Sequence, residues 1–190
     1  MLKTKIARII SEISNGFLTM ILTPLIPLVI SPVSITNKLI YSLAYFFSTT
    51  IPYLVLKKMG RISDYELTKR EERPPYFTTI SLLFGIIFLL LTTLAVETLT
   101  KVSLNLFLVS SVITIITFYW KISGHMTYST ILFATLIFLF PDTPTLYLLF
   151  LFSPFIGWSR IALEKHTLTQ VTLGTLIPLA ISILIYWPFC

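Results

Sequence analysis

The chain has two histidines, His125 and His166, and each closes a short polar segment in an otherwise apolar sequence. One segment is Ser123-Gly124-His125. The other is Ser159-Arg160-Ile161-Ala162-Leu163-Glu164-Lys165-His166. Upstream stands Lys69-Arg70-Glu71-Glu72-Arg73-Pro74. A lone histidine in a membrane segment commonly serves helix packing or an interface. These two have arginine, serine and glycine for company. The guanidinium groups of Arg73 and Arg160 offer planar forks to an oxyanion. Lys69 and Arg70 add nearby cations. Ser123 and the N–H of Gly124 stand where an apolar run begins, so a helix N-terminus would point at the same anion. Such a set suits a phosphate monoester or diphosphate, whose transition state spreads charge over three oxygens. Imidazole supplies the reactive groups for that chemistry, as nucleophile or as proton donor.

The elements that carry these residues are dictated by composition. The 190 residues are 55% hydrophobic and 12% charged, with a mean hydropathy of +0.89. A soluble domain is about a quarter charged. The solvent for most of this chain is therefore hydrocarbon. Fifteen Phe and nine Tyr suit lipid-facing and interfacial positions. The fold class expected is all-α, a polytopic transmembrane helical bundle of six or seven spans, in one integral membrane domain over 1–190. The motif-bearing core covers about 61–188. Candidate spans are 16–30, 39–56, 77–96, 104–120, 126–140, 146–158 and 168–187. The turns expected between them include 31–38, 97–103 and 141–145. The first span contains Pro24 and Pro27, which a membrane helix tolerates when neighbours repair the backbone bonds. Residues 1–15 place Ile6, Ile9, Ile10 and Ile13 on one helical face beside Lys3, Lys5 and Arg8, a pattern that also suits an interfacial helix. No cleavage site follows the first apolar run, so that run is expected to be retained. The one cysteine, Cys190, forms no internal disulfide, no metal cluster and no prenylation box.

Seven crossings put residues 1–15, 57–75, 121–125 and 159–167 on one side. All Lys and Arg except Lys38 and Lys101 then share that side. The excess of positive charge assigns it to the cytoplasm. The expected location is the plasma membrane of a prokaryote. All three chemistry-bearing segments fall on this face, an agreement not used to draw the topology.

The ordered motifs resemble those of the type 2 phosphatidic acid phosphatase superfamily, whose pattern is Lys-x6-Arg-Pro, Pro-Ser-Gly-His and Ser-Arg-x5-His-x3-Asp. Arg73-Pro74 matches the end of the first. Ser123-Gly124-His125 matches the second, with Ile122 in the proline's place. Ser159, Arg160 and His166 match the third at its spacing. The likeness covers about residues 64–170. It implies a metal-independent membrane hydrolase acting on a lipid phosphate: phosphatidic acid, phosphatidylglycerol phosphate or a polyprenyl phosphate. It implies His166 as the nucleophile, through a phosphohistidine, and His125 as the acid for the leaving lipid oxygen. No cofactor, metal or nucleic-acid partner is implied. The chain departs from the pattern at Glu66, where the family has Lys, and at Gln170, where it has Asp. If 64–75 is helical, Glu66, Lys69, Arg70 and Arg73 share one face and a shifted cation can serve. Gln170, four residues after His166, can reach that ring. Its neutral oxygen stabilises an imidazolium less than a carboxylate would, which leaves Glu164 as an alternative partner. Two extra spans between the first and second motifs mark a divergent branch.

Other classes remain open on the residues alone. Pro24, Pro27 and the short fifth and sixth spans are compatible with a small transporter. Glu66 and Gln170 would suit a catalytically inactive lipid-phosphate-binding protein. A magnesium-dependent transferase needs clustered aspartates, whereas Asp64 and Asp142 fall on opposite sides of the topology.

Overall fold

The computed structural model describes residues 2–187. Cys190 lies outside the described residues. Among these, every regular element is helical: α1 (Leu2–Ile13), α2 (Gly16–Ile30), α3 (Ile35–Lys58), α4 (Arg73–Thr92), α5 (Glu97–Tyr119), α6 (Gly124–Leu139), α7 (Ser153–Ala162) and α8 (Leu168–Tyr186). Short 3₁₀ segments, Arg70–Glu72 and Pro144–Phe152, lead into α4 and α7. Six helical stretches are long and apolar enough to cross a membrane, with α1 and α2 counted as one stretch and the second 3₁₀ segment joined to α7. The shorter apolar α6 has 16 residues, about 24 Å at 1.5 Å per residue. This is a helical membrane protein.

The largest difference from the sequence reading lies between α4 and α5. The expected turn at 97–103 is the beginning of α5, and the connection is 93–96, with Ala95 at φ 52°. Glu97 opens the helix, where a negative charge meets the positive end of the helix dipole. It pairs with Lys101 at 2.6 Å across one turn. Ser103 is buried and accepts a 2.8 Å bond from the Tyr45 hydroxyl. Polar residues that read as a turn are thus satisfied inside a helix. The sixth expected span is a 3₁₀ run continued by α7, because Pro154 in the first turn of α7 has no N–H for the regular α pattern upstream.

The described chain forms two compact units, one of 2–23 with 121–187 and one of Pro24–Trp120. In the second unit α4 packs against α5 and α3. A Cβ on Gly85 would come within 2.9 Å of the Phe107 ring, so glycine permits the close α4–α5 approach. Ser81 and Ser111 hydroxyls meet at 2.7 Å across the same pair. Leu43, Phe46, Phe47, Ile51 and Leu54 of α3 are exposed in the isolated chain, the surface that hydrocarbon covers.

In the first unit α1 packs on α7, and α6 packs on α8 and α7. Glycines again set the distances. A Cβ on Gly16 would lie 3.0 Å from the Gly124 carbonyl group and 3.2 Å from the His125 nitrogen. One on Gly174 would lie 3.0 Å from the Ser123 carbonyl oxygen. The start of α6 is therefore held by direct backbone approach of both α2 and α8.

Candidate functional site

Ser123, the residue before α6, fixes where that helix begins. Its side chain accepts from Met126 N at 3.4 Å, the usual role of an N-cap serine. Its own N–H donates to the Gln170 carbonyl at 3.3 Å, tying the start of α6 to the start of α8. Ser123 is completely buried. A Cβ on Gly124 would meet nothing within 4 Å, so the space beside this first residue of α6 is open. His125 follows, buried, on the first turn.

Arg160 comes from the last turn of α7, and the chain reverses immediately after it. Lys165 N donates to Arg160 O at 3.0 Å and Glu164 N to Ile161 O at 2.9 Å, which is a Schellman closure. Glu164 takes the left-handed position at φ 56°, usually glycine's, at a cost of about 1–2 kcal/mol. His166 N also donates to Arg160 O, at 3.3 Å. Lys121 Nζ clamps the same reversal through Lys165 O at 2.7 Å. One peptide carbonyl thus carries both the end of α7 and the approach to α8.

Thr167 caps α8 in a reciprocal capping box with Gln170. Gln170 Oε1 accepts from Thr167 N at 3.2 Å and lies 3.0 Å from His166 Nδ1. An atom that accepts a backbone N–H is the amide oxygen, so the ring nitrogen facing it is the protonated one. His166 is thereby held as the Nδ1–H tautomer, and its basic lone pair is on Nε2.

The Arg160 guanidinium is nearly inaccessible. Its Nη1 lies 3.3 Å from His125 Nε2 and donates a short hydrogen bond to the hydroxyl of Ser11. Ser11 Oγ is 3.5 Å from the same His125 nitrogen. Arginine only donates, so Nε2 presents its lone pair to Arg160 here. An anion placed between them would allow both nitrogens to donate to it. The structure thus brings Ser123, Gly124, His125, Arg160, His166 and Gln170 together around the N-terminal ends of α6 and α8 within one unit.

Lys69, Arg70 and Arg73 belong to the other unit. The helical face expected to join them with Glu66 does not form, since only the 3₁₀ turn Arg70–Glu72 precedes α4. The reason is local. The Asp64 carboxylate accepts from Glu66 N at 2.9 Å, Thr68 N at 3.2 Å and Thr68 Oγ1 at 3.1 Å, which competes with helix. Leu67 is turned to φ 52°, and its carbonyl accepts from Arg73 Nε at 2.8 Å. Arg73 is buried. Lys69 pairs with Glu72 at 3.8 Å and Arg70 with Glu71 at 3.3 Å. Arg70 Nη1 also donates to Phe118 O at 2.5 Å.

Ser11 escaped the sequence reading. Attention to the isoleucines of α1 hid a second stripe, Ala7, Ser11 and Ser14, at the i, i+4, i+7 spacing that marks close helix contact. No protein-family model, no curated protein and no solved structure matches this chain.

Proposed function

We propose that this membrane protein hydrolyses the phosphate ester or diphosphate of a lipid, at its cytoplasmic face and without metal. The observation that carries the reading is the meeting of both histidines' helix ends with buried Arg160, with His166 held in the tautomer a nucleophile needs. His166 Nε2 attacks phosphorus and the bond to the lipid oxygen breaks. His125, protonated with the anion bound, gives its proton to that oxygen. Water then attacks the phosphohistidine, with His125 accepting a proton, and phosphate leaves. Arg160, the Gly124 N–H and, from the resemblance, Ser123 offset the charge on the oxygens. An apolar groove of about 460 Å³ between α7 and α8, lined by Met126, Gly157, Ile161, Leu168 and Val171, is compatible with a hydrocarbon tail. The cytoplasmic assignment rests on the distribution of Lys and Arg, and the plasma membrane of a prokaryote is the setting proposed.

The neutral amide at Gln170 favours one second reading, a lipid-phosphate-binding protein without turnover. Phosphate release from phosphatidic acid, phosphatidylglycerol phosphate and a polyprenyl phosphate, with and without chelator, decides. Release that survives chelation, with an acid-labile phosphoryl group trapped on His166, is expected. Binding without release would establish the second reading.

A further inference from the structure

α1 buries a different face from the one most of its large side chains suggest. Ala7 is 0% and Ser11 2% exposed, while Ile6, Ile9 and Ile13 are 44%, 59% and 73% exposed. The small residues let α1 approach α7 closely; Ile10 packs against Met126, Ile156 and Val171, and Ile6, Ile9 and Ile13 are left for lipid. Two serines lie on the buried stripe, and they behave differently. Ser14 Oγ donates to Ile10 O of its own helix at 2.7 Å, a satisfied intrahelical bond. Ser11 turns its hydroxyl across to Arg160 Nη1 and His125 Nε2. It is an oxygen held between a guanidinium and an imidazole, which is the position a phosphate oxygen would take.

We infer that Ser11 is a phosphate-binding residue of the site, presented by α1 to the bound anion alongside Arg160 and His125; this rests on the proposed function. A hydroxyl can accept from Arg160 when the site holds no anion and donate to a phosphate oxygen when it does. Its partners then exchange with little side-chain movement. The N-terminal amphipathic helix is accordingly part of the site, not only an anchor to the membrane surface.

The test uses the full chain in lipid nanodiscs, with two probes: hydrolysis of a short-chain phosphatidic acid, and calorimetric titration with inorganic phosphate. Ser11→Ala should weaken phosphate binding and raise KM, each by on the order of 10–100-fold, the range for a hydrogen bond to a charged group. Ser11→Thr should recover most of the loss. Ser14→Ala, just past the end of α1 on the same buried stripe, should leave both readouts unchanged, and thermal unfolding of each variant reports whether α1 still packs. Equal effects of Ser11→Ala and Ser14→Ala, or wild-type phosphate affinity in Ser11→Ala, would overturn the inference while leaving hydrolysis intact. A wild-type chain that binds phosphate without turnover would sink the hydrolase reading and leave Ser11 to be judged by titration. A wild-type chain that does neither overturns both.

Discussion

Both units bury polar side chains, but they use them for different ends. In the second unit they lie along helix–helix seams. Ser81 meets Ser111, Tyr45 meets Ser103, and Tyr41 donates to the Leu90 carbonyl at 3.3 Å. These are neutral pairs that mate one helix with the next. The first unit has such a seam pair too, Thr135 with Tyr186 at 2.9 Å, but Ser123, His125 and Arg160 sit at helix ends, where a helix N-terminus and a guanidinium favour an anion. The two buried arginines sharpen the contrast. Arg73 Nε donates to a backbone carbonyl in a local turn, whereas Arg160 Nη1 faces two side chains that can change partners. Burial of polar groups in a membrane protein is therefore not one phenomenon. What separates glue from chemistry is whether each group's partner can be replaced by a ligand.

The largest effect that would break this contrast is at the histidines. On the proposed mechanism His166→Ala should abolish turnover of every substrate, because it removes the phosphoryl acceptor. His125→Ala should depend on the leaving group. A lipid alkoxide needs a proton, whereas an aryl phosphate departs without much help. The loss on the lipid monophosphate should exceed that on the aryl ester by on the order of 10²–10⁴-fold. Equal losses on both would remove His125 from the acid role.

A smaller, opposite effect is expected at Gln170. Gln170→Glu preserves the side-chain length, so both the capping bond and the contact with His166 can persist while a charge is added. The rate should rise. Gln170→Asp supplies the same charge one methylene shorter and should raise it less, with some loss of helix stability. An unchanged rate in both variants would mean that the partner of His166 does not limit the reaction.

The smallest effect belongs to the other unit. Ser81→Ala should reduce stability by about 0.5–1.5 kcal/mol, the net worth of an ordinary hydrogen bond, and leave turnover alone. A loss of activity larger than the loss of folded protein would show that the seams of the second unit also serve the chemistry.

The parts of this molecule legible in its sequence were those written in hydropathy and in rare residue types. The bounds of α2 coincide with the expected 16–30 despite two prolines, and α3 encloses 39–56. The pairing of His166 with Gln170 follows from one turn of spacing. What escaped was written in small residues. Nothing in apolar periodicity says that Gly16 must rest on the backbone of Gly124, or that Ser11 faces inward past four isoleucines. Both are consequences of how near two backbones come, a tertiary quantity. The 64–68 segment is open in the sequence for another reason: charge-rich residues fit helix or loop, and it is Asp64, competing locally with helix, that decides for the turn.

The reversal after α7 has a mechanical consequence. Arg160 and His166 are joined by five intervening residues and by a bond between their own backbones. Their offset is set by the chain itself, like the jaws of a caliper locked by its frame. His125 rides on a different helix, α6, whose place against α7 is set by side-chain packing of Met126 with Ile156 and Val171. A thicker or thinner bilayer tilts helices against one another. Such a change would leave His166 and Arg160 in register and displace His125. On the proposed mechanism, host-membrane thickness would then act on protonation of the leaving lipid before it acts on attack at phosphorus.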